Sequence, residues 1–178
     1  MDSSDSNPLC LECGLCCNSV IFADGQLQPG DDAERLQSLG LALAANRKSK
    51  IKNQKFQQPC ATFNGCRCRI YADRPKYCRE FECLLFQAVK AGRLETNAAL
   101  PFIRTARQRA EKVKQLLREL GDADERVAMS ARFRRTKKRV EGSTLDEETA
   151  DLFGQLTLAV HDLNVLLSDA FYPGPGKR

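Results

Sequence analysis

The cysteines are the residues of this sequence with the clearest chemistry, and all nine lie between positions 10 and 83 of the 178 residues. The first four form one run, Cys10-Leu11-Glu12-Cys13-Gly14-Leu15-Cys16-Cys17. A Cys-x-x-Cys step lets two thiolates turn inward around one metal ion, and Gly14 permits the tight turn that such a run needs. The odd number of cysteines also disfavours a framework built only from disulfides. We therefore predict a metal site in the first half of the chain.

The cysteines alone do not distinguish a zinc site from an iron–sulfur cluster. Tetrahedral coordination by thiolates alone suits both, whereas a histidine in the set would have favoured zinc. The neighbours Cys16 and Cys17 cannot easily point at the same side of one ion, which favours a polynuclear site or two adjacent sites. The run lacks the C-x3-C-P continuation of bacterial ferredoxins, which disfavours an ordinary electron-carrying ferredoxin.

Two motifs around these cysteines resemble a known family. CxxCxxCC begins at Cys10, and CxIYxxRPxxCRxFxC runs from Cys68 to Cys83. In this order they resemble the YkgJ-like cysteine-cluster family, a zinc- or iron-chelating domain, over positions 10–83. The resemblance implies eight metal ligands, which are Cys10, Cys13, Cys16, Cys17, Cys60, Cys68, Cys78 and Cys83. Cys66 is an extra thiol without a counterpart in the family pattern.

Other side chains of the second motif are predicted to surround the ligands. Arg74 and Arg79 would offset the negative charge of the thiolates through hydrogen bonds to sulfur. Tyr71 and Phe81 would pack around the site and exclude water. Pro75 would fix the turn that brings Cys78 back to the metal, because the residue before a proline avoids the helical conformation.

The fold class predicted for the chain is mainly α. An irregular cysteine-rich unit with a short β-hairpin, residues 1–92, is followed by an antiparallel helical hairpin or bundle, residues 93–178, which packs on it. The hairpin is placed at 19–27, around an Asp24-Gly25 turn. Asp31 and Glu34 predict a capping box that opens a helix through Leu43. Residues 47–55 are predicted to form a basic linker, and 80–91 a helix that ends at Gly92.

The second half shows two apolar stripes at helical spacing. One stripe begins after Pro101 and consists of Ile103, Ala106, Ala110, Val113, Leu117 and Leu120. The other lies on the last helix and consists of Phe153, Leu156, Val160, Leu163 and Leu167. A more basic helix at 124–139 would connect them, and Pro173 and Pro175 would stop the last one. Two such stripes are what a helical hairpin needs to close a core.

The charge of the chain says less about its partners than the cysteines do. The net charge is +5, but positions 102–140 hold 13 basic and 5 acidic residues. The basic run at 132–139 could contact phosphates of a nucleic acid, although a short run without a recognition motif is more typical of a solvated face. The sole histidine, His161, is predicted to lie at the surface. No apolar run is long enough to span a membrane, and the acidic start is unlike a secretory signal, so we expect a cytoplasmic protein.

The function predicted from these patterns is binding of zinc or an iron–sulfur cluster, in a structural, metal-handling or electron-transfer role with an unknown protein partner. No catalytic residue is predicted. One alternative is an iron–sulfur oxidoreductase or a component of a methylase-like enzyme, since the cysteine cluster also resembles domains of flagellin lysine N-methylases. A second alternative is a nucleic-acid-binding module that uses the 132–139 helix.

Overall fold

The computed structural model describes residues 8–44, 54–65, 67–144 and 146–172. Most of the predicted linker at 47–55, the extra thiol Cys66 and the prolines 173 and 175 lie outside these residues. The described part confirms a mainly α fold with one small antiparallel sheet. Its elements are α1 (Pro8–Cys13), β1 (Asp24–Gln26), α2 (Ala33–Ser38), β2 (Lys55–Gln57), α3 (Lys76–Glu80), α4 (Leu84–Lys90), α5 (Thr96–Glu119), α6 (Met129–Glu141) and α7 (Glu147–Ala170).

The chain separates into two compact units. The first consists of the residues up to Phe81 together with Arg126–Ala128, and the second of Glu82–Glu125 and the residues from Met129 onward. The apolar core of the first unit is formed by Leu27, Leu36, Leu41, Phe56 and Ile70. The core of the second lies along α5 and α7, which pack against each other. The predicted division between residues 92 and 93 remains a prediction.

The predicted hairpin at 19–27 is wrong in its pairing. Residues Asp24–Gln26 form β1 itself and pair antiparallel with β2, which comes about 30 residues later in the chain, with Gly25 opposite Phe56. A Cβ atom on Gly25 would lie 2.2 Å from the Phe56 ring, so the glycine makes room for that ring. The Asp-Gly pair therefore serves packing across the sheet and does not form the turn that its sequence suggests.

The helix predicted from Asp31 is shorter than expected and has a different cap. Asp32 is the N-cap of α2, and its carboxylate accepts a hydrogen bond of 2.9 Å from the backbone N–H of Arg35. The helix ends at Ser38, followed by Gly40 in the left-handed conformation. The carboxylate of Asp31 is directed to the start of α3.

The single helix predicted at 80–91 is interrupted. Helix α3 ends at Glu80, α4 begins at Leu84, and Cys83 between them is the N-cap of α4. Gly92 follows α4 with φ of 68°, which confirms the predicted left-handed end of this segment. Sequence periodicity missed the interruption because Phe81, the C-cap of α3, is extended, with φ of −74° and ψ of 117°.

The long helices of the second unit carry the predicted apolar stripes. The stripe of α5 is buried throughout, although α5 begins at Thr96 and contains Pro101, which the prediction placed before the helix. Pro101 is the sixth residue of α5 and lies beyond the first turn, so the helix lacks the N–H that would donate to the carbonyl of Asn97. Leu156, Leu163 and Leu167 are buried in α7, whose N-cap is Asp146. The exposed position of His161 is also confirmed.

The basic run at 132–139 lies in α6 and is largely committed to contacts within the second unit. The Arg132 side chain is only 1% exposed and donates from Nε to Oδ1 of Asp122 at 3.1 Å. Arg135 forms a bidentate pair with the same carboxylate, with both distances at 2.8 Å. Arg139 donates to the backbone carbonyl of Leu120 near the end of α5. These arginines bind α5 to α6, so the structure does not support the interpretation of this helix as a nucleic-acid module.

None of the helices in the described part of the chain is long and apolar enough to cross a membrane.

Candidate metal centre

The first cysteine segment consists of α1 and the turn that follows it. Cys10 and Cys13 lie three residues apart on α1, a spacing that places two side chains on one helix face. Gly14 then adopts φ of 66°, and its carbonyl accepts the N–H groups of Cys17 and Asn18 at 2.9 and 3.0 Å. The predicted turn at Gly14 is therefore present, and it brings Cys16 and Cys17 back past the end of α1.

The second cysteine segment is a hairpin-like loop from Cys60 to Cys68. Phe63 and Cys68 face each other in an antiparallel bridge, and the N–H of Arg69 donates to the carbonyl of Thr62 at 2.9 Å. The backbone N–H of Cys60 donates to the carbonyl of Cys17 at 2.8 Å, which joins this loop to the first segment. Two groups of cysteines more than 40 residues apart in sequence are thus held side by side.

Helix α3 carries Cys78, and a distant carboxylate fixes where this helix begins. The N-cap residue of α3 is Pro75, which has no side chain able to cap it. Asp31 takes this role, because its Oδ1 accepts the N–H of Lys76 at 2.8 Å while its Oδ2 accepts the N–H of Gln28, also at 2.8 Å. The Asp31 side chain is 3% exposed. A buried carboxylate therefore ties the loop before α2 to the helix that presents Cys78.

Apolar packing places three of the thiols at the edge of the core. Cys60, Cys68 and Cys78 are half-buried and pack against the core cluster of the first unit. Phe22 is in edge contact with Phe81, with ring centroids 4.7 Å apart, and with Tyr77 at 5.4 Å. The predicted role of Phe81 as a packing residue agrees with this contact. The apolar surroundings make the thiols harder to ionise than thiols in water.

Four thiols lie close enough to Cys17 for their charges to influence it. Burial raises the pKa of the Cys17 thiol, and the neighbouring thiols of Cys68, Cys60, Cys78 and Cys13 raise it further. Burial, followed by Cys60 and Cys68, raises the pKa of Cys78 to about 12. All five side chains are half-buried. Neighbouring thiols therefore oppose the ionisation of Cys17 and Cys78, and a cation among them would relieve this effect.

Cys68 differs from the other thiols because polar groups surround its sulfur. Burial raises its pKa, and the nearby Cys60 adds to this, whereas the backbone N–H of Ile70, the hydroxyl of Thr62 and the positive charge of Arg74 lower it. The balance is a raised pKa, so these three groups only partly offset the cost of a thiolate at this position.

Arg74 lies beside the thiols as predicted. Its charge lowers the pKa of both Cys68 and Cys78, and its guanidinium carbon lies 3.6 Å from the centroid of the Tyr71 ring. Its Nε is buried and makes no hydrogen bond with any described residue. A buried donor of this kind costs free energy unless it finds an acceptor. Arg79 lies beside the carboxylate of Asp31, with its Nη2 atom 4.0 Å from Oδ1.

The thiols are neighbours without forming a finished ligand set. Within the described residues, no group of three or more histidine, cysteine, aspartate or glutamate side chains is arranged to hold a metal ion. Thiolates repel one another, so ligands of this type converge when a cation neutralises them and their protons leave. The donor chemistry nevertheless fits zinc or iron, because five soft sulfur ligands and an unpartnered buried arginine nitrogen lie in one region.

The remaining predicted ligands are placed differently. Cys10 is exposed on α1, and Cys16 is half-buried in the turn after it. Cys83 belongs to the second unit, where its sulfur accepts the N–H of Phe86 at 3.4 Å as the cap of α4. The pKa of Cys83 is raised, mainly by burial and also by the charge of Glu82, although backbone N–H donors around its sulfur oppose this shift.

Sequence reasoning missed two residues of this region, Thr62 and Asp31. The Thr62 hydroxyl lies 3.2 Å from the sulfur of Cys60 and also lowers the pKa of Cys68. The only feature of the sequence that could have indicated a role for Thr62 is its position between two cysteines. Asp31 was assigned to α2, and no local pattern could show that its partner is Lys76.

A mainly helical chain with five neighbouring half-buried thiols and an arginine beside them has the features of a cysteine-based metal-chelating protein. The sequence model of the CxxCxxCC family, described as a putative zinc- or iron-chelating domain, matches residues 9–102. This match covers more than half of the chain, and the chain belongs to this family. The family resemblance predicted from the motifs is thus confirmed. None of the curated proteins or solved structures compared with the chain matches it.

Proposed function

We propose that this protein binds a thiolate-ligated metal centre whose core ligands are Cys13, Cys17, Cys60, Cys68 and Cys78. The observation that carries the proposal is that Cys13, Cys60, Cys68 and Cys78 all lie close enough to Cys17 to affect its ionisation, together with the Cys60–Cys17 backbone hydrogen bond. Arg74 would donate from its buried Nε to a thiolate or sulfide. Cys10, Cys16 and Cys83 remain candidate ligands on the basis of the family resemblance.

The number of neighbouring thiols favours an iron–sulfur cluster over a single zinc ion. A structural zinc ion accepts four ligands, and five thiols are already close together. A centre with more than one metal ion also suits the adjacent Cys16 and Cys17, which cannot serve the same side of one ion. When bound, such a centre would supply one-electron transfer or a structural cross-link between the two cysteine segments.

Metal analysis combined with absorption spectroscopy on anaerobically purified protein tests this proposal. We expect a brown protein with absorption near roughly 400 nm, as is general for thiolate-bound iron–sulfur clusters, and iron together with acid-labile sulfide. A colourless protein with one zinc per chain would overturn the cluster but keep the metal centre. Protein that takes up neither metal, even after refolding with each of them, would overturn both.

Serine substitutions test which thiols are ligands. Cys78→Ser should lose most of the bound metal, because one ligand of the coupled set is removed while the size of the side chain is kept. Cys66→Ser is the matched control, since Cys66 has no counterpart in the family pattern, and it should keep the wild-type metal content. Equal metal contents in both variants would contradict the assignment of Cys78.

A further inference from the structure

Thr62 is a fully buried polar residue whose hydroxyl lies against the sulfur of Cys60. The residue is 0% exposed, and its hydroxyl oxygen lies 3.2 Å from that sulfur. Cys60 and Cys68 lie on opposite arms of one loop, eight positions apart, and Thr62 follows Cys60 by two positions.

The backbone of Thr62 is held independently of its side chain. Its carbonyl accepts the N–H of Arg69 at 2.9 Å, next to the bridge between Phe63 and Cys68. The hydroxyl is therefore a fixed group in a fixed loop, and the loop does not need it to close. This separation makes the contribution of the hydroxyl to the Cys60 sulfur measurable.

We propose that Thr62 is a positioning residue that holds Cys60 as a metal ligand, with its hydroxyl hydrogen bonded to the Cys60 sulfur. This inference rests on the proposed metal centre. Groups that hydrogen bond to metal ligands orient them, and their loss typically weakens metal affinity by about 10- to 100-fold. The hydroxyl has one proton, which it can donate to the Cys60 thiolate once the metal has displaced the thiol proton.

The test compares cobalt(II) binding by the full chain and its Thr62→Val and Thr62→Ser variants. Valine keeps the shape of threonine without the hydroxyl, and serine keeps the hydroxyl without the methyl group. We expect Thr62→Val to bind cobalt about 10-fold more weakly, and Thr62→Ser to stay near the wild-type affinity. The sulfur-to-cobalt charge-transfer band, which reports thiolate coordination, should weaken or shift only in Thr62→Val. A residue that served the fold alone would leave this band unchanged in the loaded protein.

A second pair keeps the test valid if Thr62→Val does not fold. Thr62→Ala and Thr62→Ser lack the same methyl group and differ only in the hydroxyl, so their ratio of affinities isolates it. Equal affinities and spectra for this pair, or for Thr62→Val and wild type, would overturn the role of Thr62 and leave the metal centre intact. Failure of the wild-type protein to bind cobalt, zinc or iron would overturn the metal centre and this inference with it.

Discussion

At the scale of single residues, the surroundings of Cys17 and Cys78 favour the protonated thiol. Burial and the other thiols raise the pKa of Cys78 to about 12 and also raise that of Cys17, whereas Arg74 opposes the shift at Cys78. A thiol must lose its proton before it can bind a metal ion. Binding by this set therefore competes directly with protons.

We expect metal affinity to increase with pH for this reason. Cys17 and Cys78 have raised pKa values and are protonated at neutral pH, so each releases a proton when it binds a metal ion, and the apparent affinity rises by up to about tenfold per pH unit for every proton released. Competition titrations with a zinc chelator between pH 6.5 and 8.5 measure this slope. His161→Gln is the control, because His161 is exposed on α7 and is the sole histidine. A flat profile, or one that His161→Gln abolishes, would contradict thiol ligation.

The turn at Gly14 gives a second prediction at this scale. Gly14 has φ of 66°, and a Cβ there would lie 2.7 Å from Cζ of Phe63, on the loop that carries Cys60 and Cys68. Gly14→Ala should therefore displace this loop and reduce metal content, in addition to the cost of about 1–2 kcal/mol for a left-handed alanine. Gly40→Ala is the matched control, since Gly40 has φ of 94° and no atom within 4 Å of the added Cβ.

Thermal unfolding and metal analysis of both glycine variants check this prediction. Gly40→Ala should lose stability through its backbone conformation alone and keep its metal. If the two variants lose the same amount of metal, the contact between Gly14 and Phe63 does not matter for the site.

At the scale of elements, the neighbouring residues Asp31 and Asp32 cap different helices. Asp32 caps α2, which carries no cysteine, while Asp31 reaches across to the first residue of α3, which carries Cys78. The Asp31 carboxylate is buried and accepts two backbone N–H groups. Its removal would leave both donors without their partner.

We expect Asp31→Ala to lower metal affinity and Asp32→Ala to leave it unchanged. Loss of the Asp32 cap should cost about 1 kcal/mol of unfolding free energy. Loss of Asp31 should cost more, about 1–3 kcal/mol, because it leaves buried donors unsatisfied. Denaturant unfolding and cobalt titration of the two variants measure these effects. If Asp32→Ala weakens metal binding as much as Asp31→Ala, capping of α3 is not what positions Cys78.

Asp122 also joins separate elements, in this case within the second unit. Its carboxylate accepts hydrogen bonds from the side chains of Arg132 and Arg135. Hydrogen bonds from Arg135 and, after the opposing effect of burial, from Arg132 hold the pKa of the Asp122 carboxyl below its usual value. Removing one partner of a buried ion pair typically costs about 3–5 kcal/mol. Asp122→Asn should therefore destabilise this unit strongly at neutral pH.

The pH dependence of this effect has a definite sign. A carboxyl group with a lowered pKa in the folded state contributes stability above its unfolded pKa of about 3.9, and this contribution is lost as the pH falls through the folded pKa. The difference in unfolding free energy between wild type and Asp122→Asn should be constant from pH 7 to 5 and shrink below about pH 4. Asp169→Asn, at an exposed position of α7, should show no such difference. A difference that stays constant down to pH 3 would contradict the ionised Asp122 pair.

At the scale of the whole molecule, the two units rely on different sources of stability. The described part of the first unit contains three helices of five or six residues and a sheet of two three-residue strands. The second unit contains two helices of 24 residues, with a buried stripe along α5 and three buried leucines along α7. Short elements bury little apolar surface, so the first unit should depend more on the metal.

A chelator should therefore destabilise the first unit selectively. At a free metal concentration of 1,000 times Kd, bound metal contributes about 4 kcal/mol to the unit that binds it. We expect chelation to shift one thermal transition to lower temperature while helical circular dichroism from the second unit persists. Hydrogen exchange of α5 and α7 in the presence and absence of the chelator assigns the transitions. Loss of protection in both units to the same extent would contradict separate stability.

The sequence by itself determined the cysteine constellation, the family and the apolar stripes of α5 and α7. These features are local or depend on residue type, so spacing along the chain is enough to recognise them. Tertiary structure decided the pairing of Gly25 with Phe56, the use of Asp31 by α3, the contact of Thr62 with the Cys60 sulfur and the engagement of Arg132 and Arg135 by Asp122. Each of these depends on a partner distant in the chain or on burial around a shared core. A glycine or an aspartate carries the same local signal whether it forms a turn, makes room for a ring or caps a helix 45 residues away.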